Sequence, residues 1–337
     1  MRNRLKLSYP AAFWSAKWRE ALPSGNGEVG IGVYGGVHRE TILLNHEDLW
    51  AGTVKPALPD ISDGLPRVRA LLKSGNIADA QDILTNALAA RGYKPGVAWP
   101  LPLGDLKIET PVRKAFKDYE RTLDMETGEI SVRWSDCARF ERRAFVSRAD
   151  RLVVLSIAAD QADALDGIFL SLDIHDPDNA SKPFGAQPVA LPQEIEKHAD
   201  AEYLYYAARY GDTGDFGAVA RVISGGARAH KDGILLGRTD RCMVLIQFFI
   251  HTPRAEAFRA CRAELAQSDT DYSALAARHI ALHRPLFLSA CFSLEGAEEG
   301  EALTNEELLL SAFRGQVHPA YIEKLWSFGR YLLICAS

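Results

Sequence analysis

Between residues 106 and 249 the chain is cut into short runs rich in Val, Ile, Phe and Tyr, and clusters of Gly, Asp and Pro separate them. The runs cover 130–134, 140–146, 152–157, 168–174, 203–208, 219–223, 233–236 and 243–250. Runs of that length, bounded by turn formers, are the mark of antiparallel strands. So many of them with no helix in between excludes an alternating α/β chain and predicts a sandwich of two sheets. Earlier, 29–37 alternates apolar residues with glycine, as a strand facing another layer does, and 41–44 adds a further strand.

Two regions break this pattern. In the first, Leu65, Val68, Leu71 and Leu72, then Ile77, Ala80, Ile83, Leu84 and Leu88, recur at helical spacing, which predicts a helical hairpin inserted at about 62–92. Gly75 suits the position just past the first helix and Asn76 the N-cap of the second. The second region begins after Pro253, where 255–266, 272–284 and 305–313 read as helices; Thr304 and Glu307 have the spacing of a capping box. A last helix is expected over 319–336, with Pro319 at its first position. Its Tyr321, Ile322, Leu325, Trp326, Phe328, Tyr331, Leu332, Leu333 and Ile334 lie around most of the circumference, which predicts burial on all sides.

With 337 residues, 47% of them hydrophobic, the chain can enclose at least one large core. Its 39 Lys and Arg against 44 Asp and Glu create no strong field of either sign, which argues against nucleic acid or an anionic membrane as partner. No run approaches eighteen apolar residues, so no spanning helix is expected. The opening Met1 to Pro10 carries positive charge without the apolar stretch of a signal peptide, and the expected location is cytoplasmic. Cys137, Cys242, Cys261, Cys291 and Cys335 are scattered and form no Cys-x-x-Cys pair; they read as buried small hydrophobes in a reducing compartment.

Several motifs invite chemical readings. Gly25 to Gly30 matches G-x-G-x-x-G, but Pro23 precedes it and a strand follows it, whereas phosphate binding needs a strand before and a helix after. A turn feeding a strand is the better reading. His38 and His46 lack a third ligand. His279 and His283 lie four apart on a helix but lack the following Glu of a zinc motif, so no metal site is expected. No G-x-S-x-G nucleophile motif occurs. Asn45, His46, Glu47, Asp48 and Trp50 gather an amide, an imidazole, two carboxylates and an indole after a strand. That mixture suits a saccharide, whose hydroxyls need polar partners and whose apolar face stacks on a ring, although a polar loop anchored by Trp50 would look the same.

Further stretches occur in a telling order. They are Leu22 to Gly27, Val33 to Val37, and Leu44 through Gly52; then Leu103-Gly104-Asp105-Leu106; then Tyr119 to Asp124 with Arg121 and Leu123; then Phe140-Glu141-Arg142 leading to Phe145-Val146-Ser147. Near the end come His279 to Phe287 and Phe328 to Ile334. In this series the chain resembles glycoside hydrolase family 95, the α-L-fucosidase type. The resemblance implies a mainly β chain: a large antiparallel β-super-sandwich over 1–268, a helical linker over 269–318, and over 319–337 the first helix of a missing (α/α)6 barrel. It implies an inverting exo-glycosidase as the parent, hydrolysing terminal α-L-fucosyl or α-L-galactosyl linkages without a cofactor. An inverting enzyme needs one carboxylic acid and one water-activating base. In the family resembled both belong to the barrel, so no catalytic residue carries over and this piece alone is expected to be inactive. The resemblance departs at one point: family members commonly place an acidic pair directly after the Asn of this loop, where this chain has His46, with the carboxylates at Glu47 and Asp48. The competing expectation is a free-standing carbohydrate-binding or scaffold module. The apolar last helix argues against it, because Trp326, Phe328, Leu332 and Leu333 would be left in water.

Overall fold

The structure, a computed structural model, describes residues 3–12, 17–51, 57–93, 99–175, 192–210 and 214–337. In chain order the strands begin with β1 (Arg4–Leu7), β2 (Leu22–Gly25), β3 (Val29–Val33), β4 (Arg39–His46), β5 (Trp50–Ala51) and β6 (Trp99–Pro100). Next come β7 (Gly104–Glu109), β8 (Lys117–Asp124), β9 (Glu129–Ser135), β10 (Arg139–Val146), β11 (Val153–Ala159) and β12 (Phe169–Asp173). The last are β13 (Gln193–Ala199), β14 (Tyr203–Arg209), β15 (Asp215–Ser224), β16 (Arg228–His230), β17 (Gly233–Leu235) and β18 (Arg241–Ile250).

Two large sheets result. One has nine strands in the order β1-β8-β9-β10-β11-β18-β15-β14-β13, the other seven in the order β16-β17-β12-β7-β4-β3-β2. Their pairings are antiparallel. The expected mainly β sandwich is therefore the observed fold. Every second residue of a strand faces the same way, and on β10 and β11 this alternation puts Phe140, Ala144, Val153, Leu155 and Ile157 into the interior. The strand expected over 29–37 is shorter than its apolar pattern: β3 stops at Val33, and Gly35 turns the chain at φ +78°, a backbone that β-branched residues avoid.

Polar side chains tie the two sheets together. The Ser24 hydroxyl of β2 accepts the Val146 amide at 3.0 Å and donates to the Gly128 carbonyl at 3.2 Å. Arg142 of β10 and Glu40 of β4 form a buried ion pair at 2.9 Å. The Gly35 and Thr41 amides also donate to Glu40, and Arg142 donates to the Gly36 carbonyl while lying 4.6 Å over the Trp134 ring. Burial pushes the Glu40 carboxyl up and the Arg142 guanidinium down, and each is drawn back by the other's charge. Beside them Arg121 donates to the Glu20 and Tyr34 carbonyls at 2.6 and 3.1 Å.

The chain divides into two compact units, Met1–Leu49 with Pro102–Ser337, and Trp50–Leu101. The smaller contains the helical hairpin, α1 (Leu65–Lys73) and α2 (Ile77–Ala90), together with the short β5–β6 pair. Val68 and Ala80 are its buried helical residues, and Arg91 pairs with Asp63 at 3.1 Å. Gly75 turns the chain at φ +82° as expected, but Asn76 makes no side-chain cap.

In the larger unit, α3 (Arg254–Gln267) lays Ala257, Phe258, Cys261 and Leu265 on the nine-stranded sheet beside Tyr205 and Phe249. Then follow α4 (Tyr272–Leu288), α5 (Asn305–Phe313), whose start has the expected reciprocal Thr304–Glu307 capping box, and α6 (Pro319–Cys335). Two expectations need correction. Helix α6 is not enclosed on every side. Its buried stripe is Ala320, Glu323, Lys324, Ser327, Tyr331 and Ile334, which is largely polar, while Leu325 and Leu333 are 52% and 72% exposed. The polar stripe is turned inward because its groups find partners there. Lys324 donates to the Arg4 carbonyl at 2.7 Å, Tyr331 to the Pro23 carbonyl at 2.9 Å, and Glu323 accepts the Leu294 amide. The five cysteines are free, but only Cys242 and Cys261 are buried; Cys137 and Cys291 are exposed and Cys335 lies between.

Candidate functional site

The residues singled out around position 46 follow from where β4 ends. Asn45 and His46 are the last two residues of that strand, paired with Gly30 and Val29 of β3. Neighbouring strand residues point to opposite faces, so the pleat separates Asn45 from His46. Past the strand, the Leu49 amide donates to the His46 carbonyl at 3.2 Å and closes a turn with Glu47 and Asp48 exposed at its tip and Leu49 buried. Structure therefore brings His46, Glu47 and Asp48 together and sends Asn45 away from them. Trp50, exposed, opens the smaller unit as part of the β5–β6 pair.

His46 is fixed in one tautomer. Its Nδ1 accepts the Asp48 amide at 3.2 Å, which leaves the proton on Nε2 as a donor. Burial lowers its basicity, the carboxylates of Glu28, Asp48 and Glu47 raise it in part, and the net direction is downward. His46 is thus a neutral hydrogen-bond donor near neutral pH.

The neighbouring turn, 25–28, explains the glycine-rich motif. Asn26 accepts the Glu28 and Val29 amides on its side-chain oxygen at 3.1 and 2.9 Å, and Gly27 takes φ +94°. The expected turn feeding a strand is what forms. It also receives α6: the Gly27 amide donates to the Cys335 carbonyl at 3.0 Å, and a Cβ on Gly25 or Gly27 would stand 2.7 or 2.5 Å from backbone atoms of Cys335 or Ser337. Arg148 donates to the Ser337 carbonyl at 3.1 Å and to that of Ile334. Glycine is thus needed for close approach of two backbones. The Glu47 amide in turn donates to the Glu28 carbonyl at 2.9 Å, so the C-terminal end of α6, the 25–28 turn and the His46–Asp48 turn are consecutive neighbours.

His46 also lines a cleft of about 290 Å³ whose other polar groups are Glu28, Asp150, Arg151, Gln247 and Glu264. Arg151 donates to Glu28 at 3.0 Å through Nε, and Gln247 donates to Glu264. Local sequence held no signal for this grouping, because the residues fall in three stretches, 28–46, 150–151 and 247–264, that lie far apart along the chain. His279 and His283 lie elsewhere, inside the packing of α4. His279 Nδ1 accepts the Arg148 amide at 3.2 Å, and its Nε2 meets the Thr127 carbonyl at 2.9 Å. His283 Nε2 meets the Met125 carbonyl at 3.0 Å, and the two rings stack at 5.2 Å. Among the described residues no group of three or more His, Cys, Asp or Glu is placed to hold a metal ion. No helix among them is long and apolar enough to cross a membrane.

A two-sheet sandwich followed by helices is the architecture of glycosidase N-terminal domains. Residues 5–224 match the family model described as glycosyl hydrolase family 65, N-terminal domain, and the chain belongs to that family. It is 25% identical over 363 residues to Alpha-L-fucosidase 2 of Arabidopsis thaliana, a match that covers 99% of this chain. The chain spans 42% of that relative's length. Together these matches support the resemblance to the N-terminal domain of a family 95-like enzyme. A solved structure described as a kojibiose phosphorylase from human microbiome shares the fold at a TM-score of 0.53 and 10% identity, over 88% of this chain and 40% of that one.

Proposed function

We propose that this chain is the sandwich and linker portion of an inverting exo-glycosidase that releases terminal α-L-fucosyl or related α-L-galactosyl residues. In this reading 1–268 is the sandwich domain, 269–318 the linker, and 319–337 the first helix of an (α/α)6 barrel that supplies the acid and the water-activating base. Likeness to an α-L-fucosidase along 99% of the chain supports the substrate class. The observation that carries the division of labour is the reversed polarity of α6, whose polar stripe is turned toward the sandwich and the linker while Ile322, Leu325, Leu332 and Leu333 are exposed. Each large apolar side chain left in water forgoes about 1.5–3 kcal/mol of burial, so such a face suits packing against further helices. The Glu47–Asp48 turn lies beside the turn that receives the end of α6, which supports its facing the mouth of the active site.

The test uses a full-length parent and an α-L-fucoside, with the released sugar followed by proton NMR. The β anomer should appear first, as inversion requires. The purified 337-residue chain should give no turnover, and hydrolysis by it would refute the division of labour. In the parent, Glu47→Gln and Asp48→Asn together should lower kcat/KM by about tenfold, the loss of roughly one charged hydrogen bond to substrate. Unchanged kinetics would remove the turn from the site.

A further inference from the structure

We propose that the cleft between Glu28, His46, Arg151, Gln247 and Glu264 is a binding subsite for one uncharged sugar ring, taken from the part of the saccharide away from the bond that is cut. The choice of ligand class rests on the glycosidase reading above; the cleft itself is a feature of this chain. Its volume of about 290 Å³ is at the small end of sites for small molecules, which fits a single ring and not an oligosaccharide.

The polar groups are held in place before any ligand arrives. Arg151 fixes the Glu28 carboxylate, Gln247 fixes that of Glu264, and the Asp48 amide fixes the His46 ring so that Nε2 remains a donor. Fixed acceptors beside fixed donors are what vicinal hydroxyls require, since each hydroxyl donates once and accepts from another group. Less rotamer entropy is then lost on binding. Val29 and Phe248 complete the wall of the cleft.

Charge narrows the ligand further. Asp150 is already paired with Arg278 at 3.0 Å, so the cleft sets the two carboxylates of Glu28 and Glu264 against the one guanidinium of Arg151, and His46 adds no positive charge near neutral pH. A uronic acid, a sialic acid or phosphate would meet net repulsion, whereas a neutral pyranose would not.

The test is a titration of the purified chain with methyl α-L-fucoside and with D-galactose, read by saturation-transfer NMR and calorimetry, with glucuronate, inorganic phosphate and calcium chloride as contrasts. Saturable binding of a neutral sugar is expected, weakened about tenfold by Gln247→Ala and by Glu264→Gln, the size expected for losing a fixed hydrogen-bond partner. Both side chains lie at the surface, and an unchanged Tm would show that the fold is retained. Absence of saturable neutral-sugar binding would overturn the proposal. So would equal binding by both variants, or saturation by glucuronate, phosphate or calcium ahead of the neutral sugars. Because the readout is binding by this chain, such a result would leave the parent's hydrolytic activity to be judged by its own assay.

Discussion

Within the sandwich, Ile42, Leu44, Leu106, Ala144 and Leu155 are buried on the facing sides of the two sheets, and the exposed ends of the strands are charged. Along α6 the arrangement is reversed: Lys324 and Tyr331 are buried with bonds to sandwich carbonyls and Glu323 with a bond to the Leu294 amide, while Leu325, Leu332 and Leu333 are exposed. On α5 the same outward preference leaves Phe313 82% exposed. The difference teaches that the two regions adhere by different forces. Strand layers are held by area removed from water, which is non-directional. Helix α6 has only a small apolar contact, Ala320 with Ala297 and Leu308, and is held further by directed bonds to the Arg4 and Pro23 carbonyls and by the capping of its own last carbonyls by Gly27 and Arg148. Such bonds fix a helix in one rotation about its axis, and they keep its apolar side free for another partner.

That contrast can be broken first at a place where the sandwich itself depends on charge. Arg142→Leu should strand the Glu40 carboxylate in the interior and destabilise the chain by about 3–5 kcal/mol, measured by urea unfolding. Glu40→Gln paired with Arg142→Leu should recover part of that loss. If the single variant costs less than about 1 kcal/mol, the sheet core does not need the pair and the two regions differ less than stated.

Acid offers a milder probe of the helical side. Burial, with His283 next to it, holds His279 down to about 3 against its ordinary 6.5, and burial also lowers His283. The groups around them are Arg148 and Asp150 for His279, and Arg148 and Asp124 for His283. A base whose folded pKa is depressed binds protons more readily when unfolded. Its contribution is therefore complete above pH 6.5 and is lost progressively as the pH falls toward about 3. Hydrogen exchange should show the α4 amides loosening across this window by roughly 2 kcal/mol or more, before the β11–β18 pairing does. Histidine-to-glutamine changes at both positions should flatten the profile, and a profile unchanged by them would assign the acid response elsewhere.

The smallest expected effect sharpens the comparison from the outside. Leu333→Ser with Phe313→Ser should change the unfolding free energy of the chain very little, within about 0.5 kcal/mol, while reducing self-association seen by analytical ultracentrifugation. A large loss of stability would mean that this face is already packed.

Much of the sandwich could be read from residue order, since β9, β10, β11, β14, β15 and β18 are apolar runs whose faces alternate. Other strands were silent for identifiable reasons. Leu-Pro-Ser-Gly in β2 has two weak strand formers and a proline, and it is ordered by pairing with β3 and by the bridging Ser24 hydroxyl. Strand β8, Lys-Asp-Tyr-Glu-Arg-Thr-Leu-Asp, reads as polar because its buried Arg121 is satisfied by carbonyls that only the folded chain presents. In the candidate site the turn at His46, Glu47 and Asp48 was legible as a polar group after a strand. Its separation from Asn45 followed from the pleat, and its link to Glu28, Gln247 and Glu264 followed from nothing local.

Residue order by itself determined the strand and helix periods, the hairpin insertion, the capping box of α5 and the kinship with a glycosidase domain, because each is written in neighbours a few positions apart or in motifs in series. Tertiary structure alone decided which side of α6 turned inward, which arginines were buried and which distant side chains share the cleft. Burial of a polar group depends on whether a partner waits at its destination, and such partners come from segments that only folding brings close.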